Sequence, residues 1–307
     1  MAPLIWLVTG CTTGLGKSMV ESIASGGDRV IATGRNAEKR LHDLKSDNVA
    51  VLDLDITMPK VVINAQVQKA IGIFGGLDVL VNNAGASWPS TVEEADDDFM
   101  HRIFDVNVYG TMRVTQSVLP HFRGQKSEKI VFMGSCVAWG PLPFFSHYAA
   151  AKAALDVLVE GLQKEVASFG MKTACIASGS FATDLGVPRE GEAGAKPPSL
   201  PEYASAFGQF FADFGSSFVF NDKTKFATFL VDLVHGQGKA AGRPWPSRIC
   251  IGPDALMTVR QRCKQTFDLA EAWADVARSM LPNGQELDPN PKVLTLSALP
   301  TQWIRSE

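Results

Sequence analysis

A doubly wound α/β fold, with a mainly parallel seven-stranded sheet flanked by helices, is predicted from two observations. Short apolar runs alternate along the chain with longer stretches of helical spacing. That alternation is the pattern of a parallel sheet covered by helices on both faces. Each helical stretch is also long enough to cross the sheet and return to a parallel neighbour by a right-handed connection.

In order, strands are expected at Leu4–Val8, Arg29–Thr33, Val49–Leu54, Asp78–Val81, Lys129–Met133 and Lys172–Ile176. Helices are expected near 15–25, 36–46, 60–72, 98–122 and 147–168, and a later helix, Asn221–Val234, leads into a seventh strand at Ser247–Ile251. The 307 residues show neither an internal repeat nor a compositional break, so residues 1–281 read as one catalytic-sized domain and 282–307, with Pro289, Pro291 and Pro300, as a tail.

Composition narrows the function classes. The net charge of −3 supplies no basic footprint for nucleic acid, and the acidic run Glu93–Asp98 reads as a solvated helix start. No stretch reaches the roughly 18 apolar residues of a membrane span, and the apolar N-terminal residues lead into a glycine turn, not a cleavage site. Five scattered cysteines without metal-ligand spacing indicate a reducing, cytoplasmic setting and no metal site.

The first chemical signal is Thr9-Gly10-Cys11-Thr12-Thr13-Gly14-Leu15-Gly16, placed where the first strand turns into the first helix. Glycines there permit a tight turn and close backbone approach to a pyrophosphate, which the helix N-terminus attracts. At the end of the second strand, Gly34 offers no carboxylate to a ribose 2′-hydroxyl, whereas Arg35 can bond a 2′-phosphate; this points to NADP(H) as cofactor. Asp55 is a candidate adenine contact or a turn residue. Asn82-Asn83-Ala84-Gly85 follows the fourth strand, its small residues admitting a cofactor and its amides able to tie strand ends together.

Tyr148 and Lys152 stand four residues apart in a strongly helical stretch, so phenol and ammonium share a face. A lysine cation and cofactor charge would favour phenolate and fit Tyr148 for proton transfer near neutral pH. Ser135, just beyond the fifth strand, can hydrogen-bond a reacting carbonyl oxygen.

With these motifs together, the sequence closely resembles the short-chain dehydrogenase/reductase (SDR) family over about residues 4–185. The resemblance implies a Rossmann-type fold and matches Gly10, Gly14 and Gly16, the Asn82–Gly85 motif, and catalytic Ser135, Tyr148 and Lys152. It further implies that Asn107 holds a water near Lys152 in a proton relay, that Lys152 contacts the nicotinamide ribose, that Arg35 selects NADP, and that Asp55 and Ile56 contact adenine. Residues Thr12, Thr13, Leu15, Asn83, Ala84, Phe181 and Thr183 complete the cofactor set. Self-association as a homodimer or homotetramer through the helices near 98–122 and 147–168 is implied as well. Two departures stand out. Gly134 replaces the first of two serines, and Ser178-Gly179 replaces Pro-Gly, an exchange expected to loosen the following loop.

A mobile substrate loop or lid is expected over about 184–220. Ser199 and Glu202 have capping-box spacing before a helix whose Phe207, Phe210, Phe211 and Phe214 share one face, either packed against the core or closing over an apolar substrate. Trp88, Trp139, Phe144 and Phe145 are further pocket candidates, and His147 reads as packing or rim. The predicted reaction is NADP-dependent interconversion of a hydrophobic ketone or aldehyde and its alcohol. The alternatives are an epimerase, dehydratase or isomerase on the same fold, and a non-catalytic NADP-binding regulator.

Overall fold

The computed structural model describes residues 2–125, 128–185, 198–217, 219–282 and 285. Seven strands form one sheet: β1 Ile5–Val8, β2 Arg29–Gly34, β3 Val49–Asp53, β4 Val79–Asn82, β5 Lys129–Met133, β6 Lys172–Ser178 and β7 Arg248–Ile251. Their order is β3-β2-β1-β4-β5-β6-β7, and every neighbouring pair is parallel. The fold is therefore the Rossmann-like arrangement that the sequence predicts.

The period of two along each strand divides the core into two layers. Trp6, Val8, Val30, Val79, Val81 and Val131 face one side, where they meet α1 Gly14–Ser25 and the later α8 Lys223–His235. Leu7, Ile31, Leu80, Ile130 and Phe132 face the other, under α3 Lys60–Phe74, α5 Thr111–Phe122 and α6 Ser146–Val166. Because both faces are covered, successive strand residues can all be apolar.

Two helical expectations change, and two helices are added. The helix expected over 36–46 shrinks to α2 Ala37–Arg40 with a 3₁₀ turn at His42–Leu44, because Leu41 leaves the helical region at φ −118° and ψ 15° and is buried in the core. The stretch 98–122 divides into α4 Asp97–Phe104, a π-helical segment Asp105–Gly110, and α5. There Asn107 Nδ2 donates to Ile103 O at 2.9 Å, taking the acceptor that α-helical geometry reserves for the backbone N–H of residue 107. Two helices without any counterpart in the sequence reading, α9 Pro253–Ala272 and α10 Ala274–Arg278, follow β7. α9 buries Ala255 alone, so it lacks the apolar stripe by which helices are recognised. Between β6 and α8 lies α7 Pro201–Ser217. Residues 186–197 of the expected substrate loop, and nearly all of the tail from 283, lie outside the described residues. Among the described residues no helix is long and apolar enough to cross a membrane.

Gly16 and Gly72 make a stability test of the close packing at the start of α1. A Cβ on Gly16 would fall 2.3 Å from Gly10 O and 2.7 Å from Asn83 Nδ2, whereas one on Gly72, inside α3, meets nothing within 4 Å. Urea denaturation is expected to show Gly16→Ala destabilised by roughly 1–3 kcal/mol and Gly72→Ala stabilised by about 0.5–1 kcal/mol.

Candidate active site

The C-terminal ends of β1 and β4 are joined by hydrogen bonds that shape the glycine turn. Thr9 Oγ1 accepts the backbone N–H groups of Asn83 and Ala84, each at 3.0 Å, while Asn83 Nδ2 donates to Thr9 O at 2.9 Å and Gly10 O at 3.0 Å. Gly10 adopts φ +69°, and a Cβ there would lie 2.7 Å from Ala84 Cα. The Thr13 side chain makes no capping bond to α1, leaving the first helical N–H groups for an anion. An uncapped helix end beside glycines with no room for side chains suits a pyrophosphate.

This turn borders a cavity of about 670 Å³ that brings together nearly all of the expected residues. Gly10, Thr12, Thr13, Gly14 and Leu15 line it with Arg35, Asp55 and Ile56 toward β2 and β3, and Asn83, Ala84 and Gly85 from the β4 loop. Gly16 lies outside that lining and acts through packing. Thr12 Cγ2 would be 2.9 Å from a Cβ on Gly34, so its methyl fills the place where a carboxylate side chain would begin. Asp55 Oδ1 accepts Thr57 N at 2.9 Å and Thr57 Oγ1 at 2.7 Å, the turn role among the two open readings.

Ser135, Tyr148 and Lys152 meet on the same cavity wall, all buried. Ser135 starts the 3₁₀ turn Cys136–Ala138, and its hydroxyl accepts Val137 N at 3.3 Å. Gly134, which stands where the family often has a serine, is crowded by β6: a Cβ would lie 2.8 Å from Cys175 Sγ. Lys152 Nζ donates to Met133 O at 2.8 Å and sits 5.7 Å from the Tyr148 ring centroid.

Burial sets the electrostatics of the chain's own groups at this wall. Burial pushes the Tyr148 phenol above its ordinary value, and the hydrogen bond from Ser135 only partly offsets this. Burial likewise lowers Lys152 from 10.5 to about 8. Burial is the largest cause for both groups, and Lys152 Nζ is turned to the Met133 carbonyl.

Asn107 is fully buried with its amide engaged: Nδ2 donates to Ala86 O at 2.8 Å as well as to Ile103 O, and Oδ1 accepts Ala86 N at 3.4 Å. It braces the π-helical segment against the β4 loop. Its Oδ1 and Lys152 Nζ would both lie near a Cβ on Gly85, at 3.0 and 3.6 Å.

The cavity's other end is aromatic. Phe145, Phe207, Phe211, Phe214 and Phe220 line it together with Leu142. Phe210 instead packs in the cluster behind, 5.9 Å from Phe144 and 6.2 Å from Phe145. Three pocket candidates are corrected. Phe144 lies outside the cavity lining and packs edge-on to Phe207 at 5.0 Å. Trp88 is buried with Ile103, Val108 and Ala151, and Trp139 lies 5.1 Å beneath the Arg248 guanidinium. His147 packs edge-on to Phe99, as rim or packing requires. The capping box also gives way: Ser199 N and Oγ both donate to Glu94 Oε1, and Leu200 N joins them at 3.1 Å. Tyr203 Oη donates to Glu93 Oε2 at 2.6 Å. The acidic run thus caps α4 through Asp96 and also anchors α7, a pairing across more than 100 residues that local spacing does not reveal.

After β6 the loop is pinned, not loosened by the missing proline. Ser180 N donates to Asp254 Oδ2 at 2.7 Å, and Phe181 and Thr183 are carried to the cavity, Thr183 against Gly14.

Comparison with known proteins agrees with this architecture. The model of the short-chain dehydrogenase family matches residues 5–192. The chain belongs to the short-chain dehydrogenase family. A relative from Botryotinia fuckeliana, described as an oxidoreductase, is 30% identical over 279 residues, covering 89% of this chain and 97% of its own. An uncharacterized oxidoreductase of Staphylococcus saprophyticus is 33% identical over 185 residues, 58% of this chain and 79% of its own. Among solved structures, a short-chain dehydrogenase from Streptomyces avermitilis superposes with a TM-score of 0.79 at 29% identity, covering 92% of this chain and all of that one. The protein is thus a member of a family of oxidoreductases.

Replacing Asn107 by Ala strands the buried polar groups of Ala86, and should cost on the order of 2–3 kcal/mol in urea denaturation. A loss below about 0.5 kcal/mol, the size of an ordinary surface change, would show that Asn107 is not a brace.

Proposed function

We propose that this short-chain dehydrogenase interconverts a hydrophobic ketone or aldehyde and its alcohol with NADP(H). The observation that carries this reading is the meeting of Ser135, Tyr148 and Lys152 on one wall of a cavity whose two ends are a glycine-lined helix N-terminus and a phenylalanine-rich pocket. A 3-ketoacyl-(acyl-carrier-protein) reductase from Brucella melitensis, complexed with NADH, has the same fold at 23% identity and a TM-score of 0.64, over 80% of this chain and 95% of its own.

In this reading the N-terminus of α1, with Gly10 and Gly14, would hold the pyrophosphate. Arg35 bonds the 2′-phosphate, and Thr12 in the space beside Gly34 disfavours the carboxylate arrangement suited to NAD. Asp55, Ile56, Asn83, Ala84, Gly85, Phe181 and Thr183 complete the walls. Held there, a reduced nicotinamide would supply the hydride. Ser135 donates a hydrogen bond to the carbonyl oxygen, and Tyr148 Oη releases its proton to the alkoxide as that charge develops. A phenol kept protonated by burial is suited to this task. Lys152 holds positive charge beside it and reaches the ribose hydroxyls, while Asn107 keeps the loop under Lys152 in place. Phe145, Phe207, Phe211, Phe214 and Phe220 favour an apolar substrate body. A cytoplasmic protein that self-associates through the outer helices belongs to the same reading.

Following NADPH absorbance with a panel of apolar ketones and aldehydes tests it. Tyr148→Phe is expected to lose about 10²–10⁴-fold in kcat while still binding NADPH; unchanged turnover would sink the proton-donor role. Arg35→Ala should raise the KM for NADPH roughly 10–100-fold and barely change that for NADH. Equal effects on both would refute the selector.

The pH profile has a definite sign. Lys152 is charged below about 8 and neutral above it, so kcat/KM for the dinucleotide, which reports the free enzyme, should fall as pH rises through about 8. A flat profile to pH 10 would contradict a requirement for the ammonium.

A further inference from the structure

The loop leaving β6 carries Phe181 and Thr183 to the cavity without the proline that would stiffen it, and its path is set by residues distant in sequence. Asp254, in the first turn of α9, receives Ser180 N on Oδ2 at 2.7 Å and Asn221 Nδ2 on Oδ1 at 2.9 Å. Asn221 completes the clamp: its backbone N–H and its Nδ2 both donate to Ser180 O, each at 2.9 Å. Both main-chain polar groups of Ser180 are thereby held. Next to it, Gly179 N donates to Ile251 O at 2.8 Å.

Two glycines exist at the positions that make room for this carboxylate. A Cβ on Gly179 would lie 2.1 Å from Asp254 Oδ1; one on Gly252 would lie 2.6 Å from the same oxygen and 2.8 Å from Asn221 Nδ2. Neither Asp254 nor Asn221 lines the cavity, so any influence on a ligand passes through the loop. Two acceptor oxygens are required, since each faces an N–H donor. An amide at 254 would set a donor against a donor at one of the two contacts.

We propose that Asp254, seated by Gly179 and Gly252 and joined by Asn221, is a positioning residue that preorganises residues 180–183 for the nicotinamide half of the bound dinucleotide. The proposal rests on the nicotinamide-cofactor reading given above. A loop fixed beforehand does not pay its ordering entropy on binding, so loosening it weakens the whole dinucleotide and spares the adenosine half, which lies across the sheet at α1 and β2.

Calorimetric titration of the full chain with NADPH and with 2′,5′-ADP, backed by NADH and ADP as a second pair, separates these contributions. For Asp254→Asn, affinity for the whole dinucleotide should fall roughly tenfold, with affinity for the adenosine fragment unchanged. Asn221→Ala should give the same selective loss, smaller because its backbone bond to Ser180 survives, and it stands as the test should Asp254→Asn not fold. Equal weakening of dinucleotide and fragment, or no weakening of either, overturns the inference while leaving the cofactor reading intact. If the unmodified protein binds neither dinucleotide nor either fragment, the cofactor reading fails and this inference falls with it.

Discussion

The paired bonds between Thr9, Gly10 and Asn83 are the constraint on which the rest of the site depends. They lie where the order of strands reverses, with β2 on one side of β1 and β4 on the other. At such a switch point the crossovers leave in opposite directions and a crevice opens beyond the strand ends. Asn83 keeps that crevice in shape by holding the β1 turn against the β4 loop, with three hydrogen bonds in a space where Gly16 has no room for a methyl. From that point the chain can place α1 toward one end of the cavity and the Ala86–Asn107 hydrogen bonds toward the other.

Lys152 shows how function opposes stability in the same structure. Its folded pKa of about 8 lies below the ordinary 10.5, so between those values the unfolded chain binds the additional proton. Burial of the ammonium therefore costs stability below about pH 8, and the cost disappears as pH rises toward 10.5. α6 is held for this purpose by contacts one and two turns farther on. Arg248, the first residue of β7, pairs with Asp156 at 2.8 Å and Glu160 at 3.1 Å and covers Trp139 just past Ser135. One side chain thus joins the helix of Tyr148 and Lys152 to the turn of Ser135.

What was legible in the sequence is what depends on near neighbours. Strand positions follow from apolar runs, the glycine turn from its place between a strand and a helix, and the shared face of Tyr148 and Lys152 from a spacing of one helical turn. The less legible features arise from groups far apart. The Glu94 anchor for Ser199 and the Asp254 clamp on Ser180 join residues separated by 105 and 74 positions, and both overturned readings drawn from local motifs, a capping box and a missing proline. Trp88 and Trp139 were plausible pocket residues by position, yet each found a packing partner elsewhere. The phenol's direction of shift also required tertiary knowledge, because burial decides it, not the interval between Tyr148 and Lys152.

A crystal structure with NADP⁺ bound tests the central claim most directly, that one sheet edge holds the dinucleotide from the α1 N-terminus to the Ser135–Tyr148–Lys152 wall. The pyrophosphate is expected on the backbone of residues 10–16, the 2′-phosphate at Arg35, and the nicotinamide between Tyr148 and the 181–183 loop. A dinucleotide whose nicotinamide lies away from Tyr148, or whose pyrophosphate avoids the glycine turn, would contradict it.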